Sequence, residues 1–173
     1  YSAVVTASEQ HERTLWVASR AGLVRVRGDE VTVFDRRHGL PSDAVRGIKL
    51  QRVDGIDVLW LATEGGIARA ALTESRWRTV SLHGTRENGI FGLLIEPDDR
   101  GGERLWIGSA QAGVALLQNG EWRRFSQADG SLPAEGVRTI LRLTQPDGSV
   151  LRVARPRKAR HRGLELGWAG RLA

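Results

Sequence analysis

Three short apolar runs recur along the chain at nearly equal intervals. Leu15-Trp16-Val17-Ala18-Ser19 leads to Gly22-Leu23-Val24-Arg25, and Leu59-Trp60-Leu61-Ala62-Thr63 leads to Gly66-Ile67-Ala68-Arg69. Leu105-Trp106-Ile107-Gly108-Ser109 leads to Gly113-Val114-Ala115-Leu116. The three indoles are 44 and 46 residues apart. A second pattern lies between them: Gly39-Leu40-Pro41 precedes Val45-Arg46-Gly47-Ile48, and Leu132-Pro133 precedes Val137-Arg138-Thr139-Ile140. A third closes each unit, at 31–34, 77–80 and 122–125. The runs are rich in β-branched and aromatic residues and bounded by Gly, Pro, Asp and Asn, which marks short strands. No stretch keeps a helical period over three turns. In the second unit the pattern predicts strands near 45–50, 58–63, 66–70 and 77–81, with tight turns at Asp54-Gly55 and Glu64-Gly65.

Four antiparallel strands repeated head to tail every ~40–50 residues is the pattern of a propeller blade. The expected fold is therefore all-β, a partial β-propeller with about three complete four-stranded blades and an incomplete fourth. The blades fall near 4–35, 45–81 and 90–126, with the next starting over 137–149; residues 150–173 read as a basic degenerate blade or tail. A blade packs both faces on its neighbours, which explains unbroken runs such as Val58-Leu59-Trp60-Leu61-Ala62. Trp16, Trp60 and Trp106 are expected as equivalent core wedges. Gly22, Gly66 and Gly113 follow a tight turn, where positive φ or close backbone approach is needed.

The fourth unit departs from the pattern. Val137 to Leu143 and the Asp147-Gly148 turn are as expected, but Arg152 takes the Trp slot and Pro156 falls where the sheet should continue. A linker, a decayed repeat and a shifted reading frame all fit such text. Charge agrees: residues 1–149 balance 19 basic against 19 acidic side chains, and the net +6 comes from residues 150–173. The body thus exerts no global pull on nucleic acid, and none is expected as a partner. The absence of cysteine excludes disulfides, thiolate nucleophiles and Cys-type zinc sites. No apolar run reaches the ~18 residues of a membrane span. A chain that opens on Tyr1 and holds no Met reads as a processed or excised piece.

These residues resemble the two-component regulator propeller repeat. Gly39-Leu40-Pro41-Ser42-Asp43-Ala44-Val45 and Leu15-Trp16-Val17-Ala18-Ser19-Arg20-Ala21-Gly22-Leu23 match its motifs, and the resemblance covers about residues 4–149. The middle unit departs from it, with 83–89 in place of Gly-Leu-Pro. The resemblance implies a ligand-sensing, extracytoplasmic or periplasmic propeller segment of a bacterial inner-membrane receptor. Its output would be a histidine kinase, a diguanylate cyclase or a DNA-binding regulator. It implies as partners the remaining blades of the same propeller, an oligosaccharide or other small ligand, and a second copy in a homodimer. The other classes the sequence leaves open are a propeller enzyme acting on polysaccharide or glycopeptide, and a protein-interaction scaffold.

Little in the chain carries chemistry of its own. No catalytic set, cofactor loop or metal-ligand spacing is present, so no cofactor is expected. The acidic groups at Asp54/Asp57 and Asp98/Asp99/Glu103 read as turns between strands and match no calcium loop. Repeat symmetry singles out three pairs as candidate ligand-facing residues: Arg25 with Arg69, Arg46 with Arg138, and His38 with His83. The competing readings are a solvated strand face or cross-strand ion pairs for the arginines, and solvated turns for the histidines.

Overall fold

The computed structural model describes residues 2–7, 13–72, 76–80, 89–98, 101–132, 136–144, 146, 150–156 and 169–170. The chain divides into two compact units, Tyr1–Gly84 and Thr85–Ala173.

The first unit holds two four-stranded antiparallel sheets whose strands pair in chain order. The first sheet is β1 (Ala3–Ala7), β2 (Arg13–Ser19), β3 (Gly22–Arg27) and β4 (Glu30–Phe34). The second is β5 (Val45–Val53), β6 (Ile56–Thr63), β7 (Gly66–Ala71) and β8 (Arg78–Val80). One face of the first sheet, with Trp16, Leu23 and Phe34, packs on the face of the second that carries Ile48, Leu59 and Leu61. The strands lie within a residue or three of the positions read from the sequence. Trp77 is a small correction: it precedes β8. Its N–H donates to the His38 carbonyl at 3.3 Å, and its ring packs edge-on against Trp16 and Phe34.

The second unit repeats the design. β9 (Ile90–Pro97), β10 (Glu103–Ser109), β11 (Gly113–Gln118) and β12 (Glu121–Phe125) form its four-stranded sheet. Trp106, Val114 and Phe125 of that sheet pack on Val137 and Ile140 of β13 (Val137–Thr144). β13 continues into a three-stranded sheet with β14 (Val150–Pro156) and the two-residue β15 (Ala169–Gly170). The register corrects the expectation for Arg152: counted from the shared bulge, Val153 opposite Leu141 takes the place of Trp60 opposite Lys49, and Arg152 opposite Arg142 takes that of Leu59 opposite Leu50. The Asp147-Gly148 turn and residues 157–168 lie outside the described residues.

The three indoles have equivalent surroundings. Each is buried on the second strand of its sheet and sends its N–H to the first strand, two residues beyond its cross-strand partner. Trp16 donates to Thr6 Oγ1 at 3.1 Å, Trp60 to Gln51 Oε1 at 2.8 Å, and Trp106 to Glu96 Oε1 at 2.9 Å. A buried N–H left without an acceptor costs ~1–3 kcal/mol, so this acceptor position is part of the repeat. Trp16 and Trp106 also share a ring partner, Phe34 at 6.0 Å and Phe125 at 5.8 Å, both at 30°. In the second sheet Val80 takes the Phe position opposite Ile67, and the Arg69 guanidinium lies 5.5 Å from the Trp60 ring.

Gly22, Gly66 and Gly113 have φ of 134°, 135° and 75°. A Cβ on Gly22 or Gly113 would sit 2.3 Å from the carbonyl oxygen of Phe34 or Phe125. The glycine lets the last strand close on the third. Ser19 and Thr63 stitch the preceding turn, each hydroxyl donating at 2.8 Å to the carbonyl of that glycine.

Candidate functional site

The first strand of three units carries a β-bulge at the same place. In β5, Val45 pairs with Thr63 and Gly47 with Ala62, which leaves Arg46 as the extra residue. In β9, Ile90 pairs with Ser109 and Gly92 with Gly108, which leaves Phe91. In β13, Val137 pairs with Pro156 and Thr139 with Arg155, which leaves Arg138. The same bond lies beyond two of these bulges: Glu64 donates to the Ala44 carbonyl at 3.0 Å, and Ala110 to that of Gly89 at 2.9 Å. A bulge frees one residue from the ladder and re-aims its side chain, and such positions are common beside binding sites.

Arg46 and Arg138 were legible as a repeated pair; Phe91 was not. Its signal is the alignment of Ile90-Phe91-Gly92-Leu93 with Val45-Arg46-Gly47-Ile48, which the altered loop before it hides. In the second unit the bulges of β9 and β13 meet. The Arg138 guanidinium carbon lies 5.7 Å from the centre of the Phe91 ring. Phe91 is half-buried and Arg138 exposed. Small residues allow this approach: a Cβ on Gly92 would lie 3.4 Å from the Arg138 carbonyl, and one on Gly108 would lie 3.0 Å from Val137 Cγ1. In the first unit Arg46 contacts the Glu64 carboxylate, so part of its charge is met internally.

The other candidates have different surroundings. Arg25 stands opposite Trp16, bonds Glu30 at 3.0 Å and Thr32 at 3.1 Å, and lies 5.6 Å from the Phe34 ring. It is thus engaged in a cross-strand ion pair within its own sheet. Arg69 stands opposite both Trp60 and Arg78 and lines an open groove of about 240 Å³ with Val53, Ile56 and Val58. His38 closes a short 3-10 turn, where its Nδ1 lies 2.9 Å from Asp35 Oδ1 and 3.2 Å from the Asp35 N–H. Arg37 bonds the same carboxylate and, with His38, holds it well below the usual carboxylate range. His38 is therefore engaged in capping its turn; His83 lies outside the described residues. Among the described residues no group of three or more His, Asp or Glu could hold a metal ion.

The sheets are β-propeller blades. Over 88% of its length the chain superposes with a TM-score of 0.63 and 15% identity on the extracellular domain of BT3049, a B. thetaiotaomicron protein assigned to the hybrid two-component systems. The extracellular domain of BT4673 from B. thetaiotaomicron, assigned likewise, matches 80% of the chain at 17% identity with a TM-score of 0.43. The chain spans only 23% and 24% of those two domains. No family model matches the sequence, and no curated protein matches it. No helix among the described residues is long and apolar enough to cross a membrane.

Proposed function

We propose that this chain is part of the ligand-sensing, extracytoplasmic propeller of a bacterial membrane receptor of the two-component or cyclic-di-GMP type. The observation that carries the reading is the likeness in fold, over 88% of the chain, to an extracellular domain from a hybrid two-component system. The repeat motifs agree with it. In this reading the segment does no chemistry. It binds an oligosaccharide or other small ligand and shifts the packing of a homodimer, whose output lies in another domain.

Further blades of the same propeller are the nearest partners. The outer face of the first sheet is apolar in register: Val5 stands opposite Leu15, Leu15 opposite Val26, and Val26 opposite Val31. Val5 is 60% exposed and Val31 63%. In the second sheet the corresponding face, with Leu59 and Ala70, is the one buried against Trp16. The outer face of the first sheet therefore suits the indole-bearing face of another blade.

The test is to read the receptor as a whole. With the full-length protein in its host, kinase or cyclase output is measured while oligosaccharides are supplied outside the cell. A ligand-dependent change that disappears when residues 1–149 are deleted supports the reading. A parent protein with neither a membrane helix nor an output domain would sink it.

A further inference from the structure

We infer that the groove on the Trp60 face of the second sheet binds an organic acid, with a carboxylate or sulfate paired to Arg69 and an apolar side of the same ligand laid on Val53, Ile56 and Val58. This rests on the sensing reading and deepens it by giving one place on the first unit a ligand chemistry.

The second sheet departs here from its own repeat. Two residues before the indole stand Thr14, Val58 and Arg104 in the three sheets. Two residues after the one opposite the indole stand Arg27, Ala71 and Gln118. On the last strand Thr32, Arg78 and Arg123 are equivalent, and two residues before them stand Glu30, Arg76 and Glu121. Of the three sheets, only the second thus has apolar residues where the others are polar, and a base where the others hold an acid. The blade fold requires neither change.

Both changes act on Arg69. In the first sheet the equivalent Arg25 bonds Glu30 at 3.0 Å. Among the described residues Arg69 has no carboxylate within ion-pair distance, and it is exposed. Its guanidinium lies 5.5 Å from the Trp60 ring. That contact orients it through the aromatic quadrupole and leaves its N–H edge unspent. An oriented guanidinium with a free edge suits bidentate pairing with a carboxylate or sulfate. Arg78, opposite Arg69, is engaged on its own account and serves as a wall, so the pairing is asked of Arg69 alone. Beside that charge, Val53 is 39% exposed and Ile56 51%. They offer a floor to an alkyl chain or to the C–H face of a sugar.

Asp54 lines the other end of the groove. It sits at the hairpin tip next to Val53 and Ile56, four residues along the sheet from the row of Trp60 and Arg69. At ~3.3 Å per residue the backbones there are about 13 Å apart. Its charge opposes a second anionic group and sets the direction in which an acid lies. Paired strands of one sheet carry Arg69 and most of the floor, which lowers the entropy lost on binding.

The experiment uses the full chain and four probes: hexanoate against hexanamide, and glucuronate against glucose. Binding is followed by NMR shifts of the Ile56 and Val58 methyl groups and of the Arg69 side chain. Saturable shifts are expected for at least one acid and for neither neutral partner. Hexanoate alone would assign an aliphatic acid, glucuronate alone an acidic sugar, and both a general organic acid. Arg69→Leu installs the residue type that Leu116 has at that place in the third sheet, so the blade tolerates it. It should weaken binding about tenfold or more, the loss of one charged hydrogen-bond pair. Arg69→Lys keeps the charge but not the fork and should fall between. Val58→Thr, which installs the residue type of Thr14, should lower affinity while preserving the preference for acids. Arg13→Gln, on β2, should change nothing. Absence of saturable shifts with both acids, equal binding of the neutral partners, or an Arg69→Leu affinity within about twofold of the parent would overturn the assignment. The measurement has no signalling readout, so such a failure would leave the sensory reading untouched.

Discussion

The indole N–H of Trp106 donates to the carboxylate of Glu96, itself almost fully buried, at 2.9 Å. The same Oε1 accepts from Arg104 Nε at 2.7 Å, and Arg142 Nε lies 3.5 Å from Oε2. Gln51 and Thr6 do the same service for Trp60 and Trp16 without a charge. Glu96→Ala should therefore cost about 3 kcal/mol, because it leaves a buried N–H and a partly buried guanidinium without their acceptor. Glu96→Gln reproduces the arrangement at Gln51 and should cost roughly half as much or less. Urea unfolding of the two variants checks this. Equal losses would mean that the indole bond contributes little.

The glycine after the tight turn gives a second contrast. Gly113 and Gly120 both have positive φ, 75° and 79°, but only Gly113 has a neighbour where a Cβ would go, the Phe125 carbonyl oxygen at 2.3 Å. Gly120→Ala should cost about 1 kcal/mol of backbone strain. Gly113→Ala should cost at least about 2 kcal/mol more, because β12 must move off β11. The difference in thermal midpoint between the variants measures the steric part alone. Variants that melt together would show that the last strand yields freely.

Much of this architecture was legible in the sequence because a propeller blade repeats its own constraints. Trp16, Trp60 and Trp106 announce the second strand of each sheet, and the following glycines announce the close approach of the last. In the fourth unit the motif misleads by one residue: Leu151-Arg152-Val153 aligns Arg152 with the indoles, but the pairing counted from the bulge puts Val153 there, opposite Leu141. The indole acceptors were not readable. Thr6, Gln51 and Glu96 share a position and a hydrogen bond but no side-chain chemistry, so self-comparison passes over them. Phe91 was hidden differently: the bulge it occupies is defined by pairing across strands, and the Gly-Leu-Pro signpost before it is missing. The strand expected at 77–81 starts one residue early because the Trp77 indole reads as strand, whereas its backbone bonds the inter-blade link at His38.

A carboxylate closes the link that follows the third sheet, and this sets a pH dependence. The Asp129 carboxylate accepts from the Ser131 hydroxyl and N–H and from Ser126, which lowers its pKa from the ordinary 3.8 to about 2. A carboxylate whose folded pKa is depressed contributes stability above its unfolded value and loses it as pH falls towards the folded one. The link from Ser126 to Leu132 should thus be held fully above about pH 4 and loosen between there and about pH 2. Ser131→Ala removes the largest cause and should move the Asp129 titration back towards 3.8, as read by carboxyl-carbon NMR. An unshifted titration in that variant would refute the assignment of cause.

The outer face of the first sheet yields the remaining prediction. Val5 and Val31 are more than half exposed on a face whose counterpart in the second sheet is buried, so the chain on its own presents a ready blade interface to solvent. Pairing with the same face of a second copy would remove that apolar surface at ~25 cal/mol per Å². The separate chain should therefore self-associate as its concentration rises, with an association that high salt weakens less than it would that of a charged interface. Val31→Glu places a charge on that face and should keep the chain monomeric by sedimentation velocity, while leaving its unfolding midpoint nearly unchanged, because Val31 buries little in the monomer. Adding a chain that supplies one more blade of the same repeat should restore pairing with the parent and not with the variant. If Val31→Glu associates as strongly as the parent, the surface that holds copies together lies elsewhere, and the reading of this face as a blade seat fails.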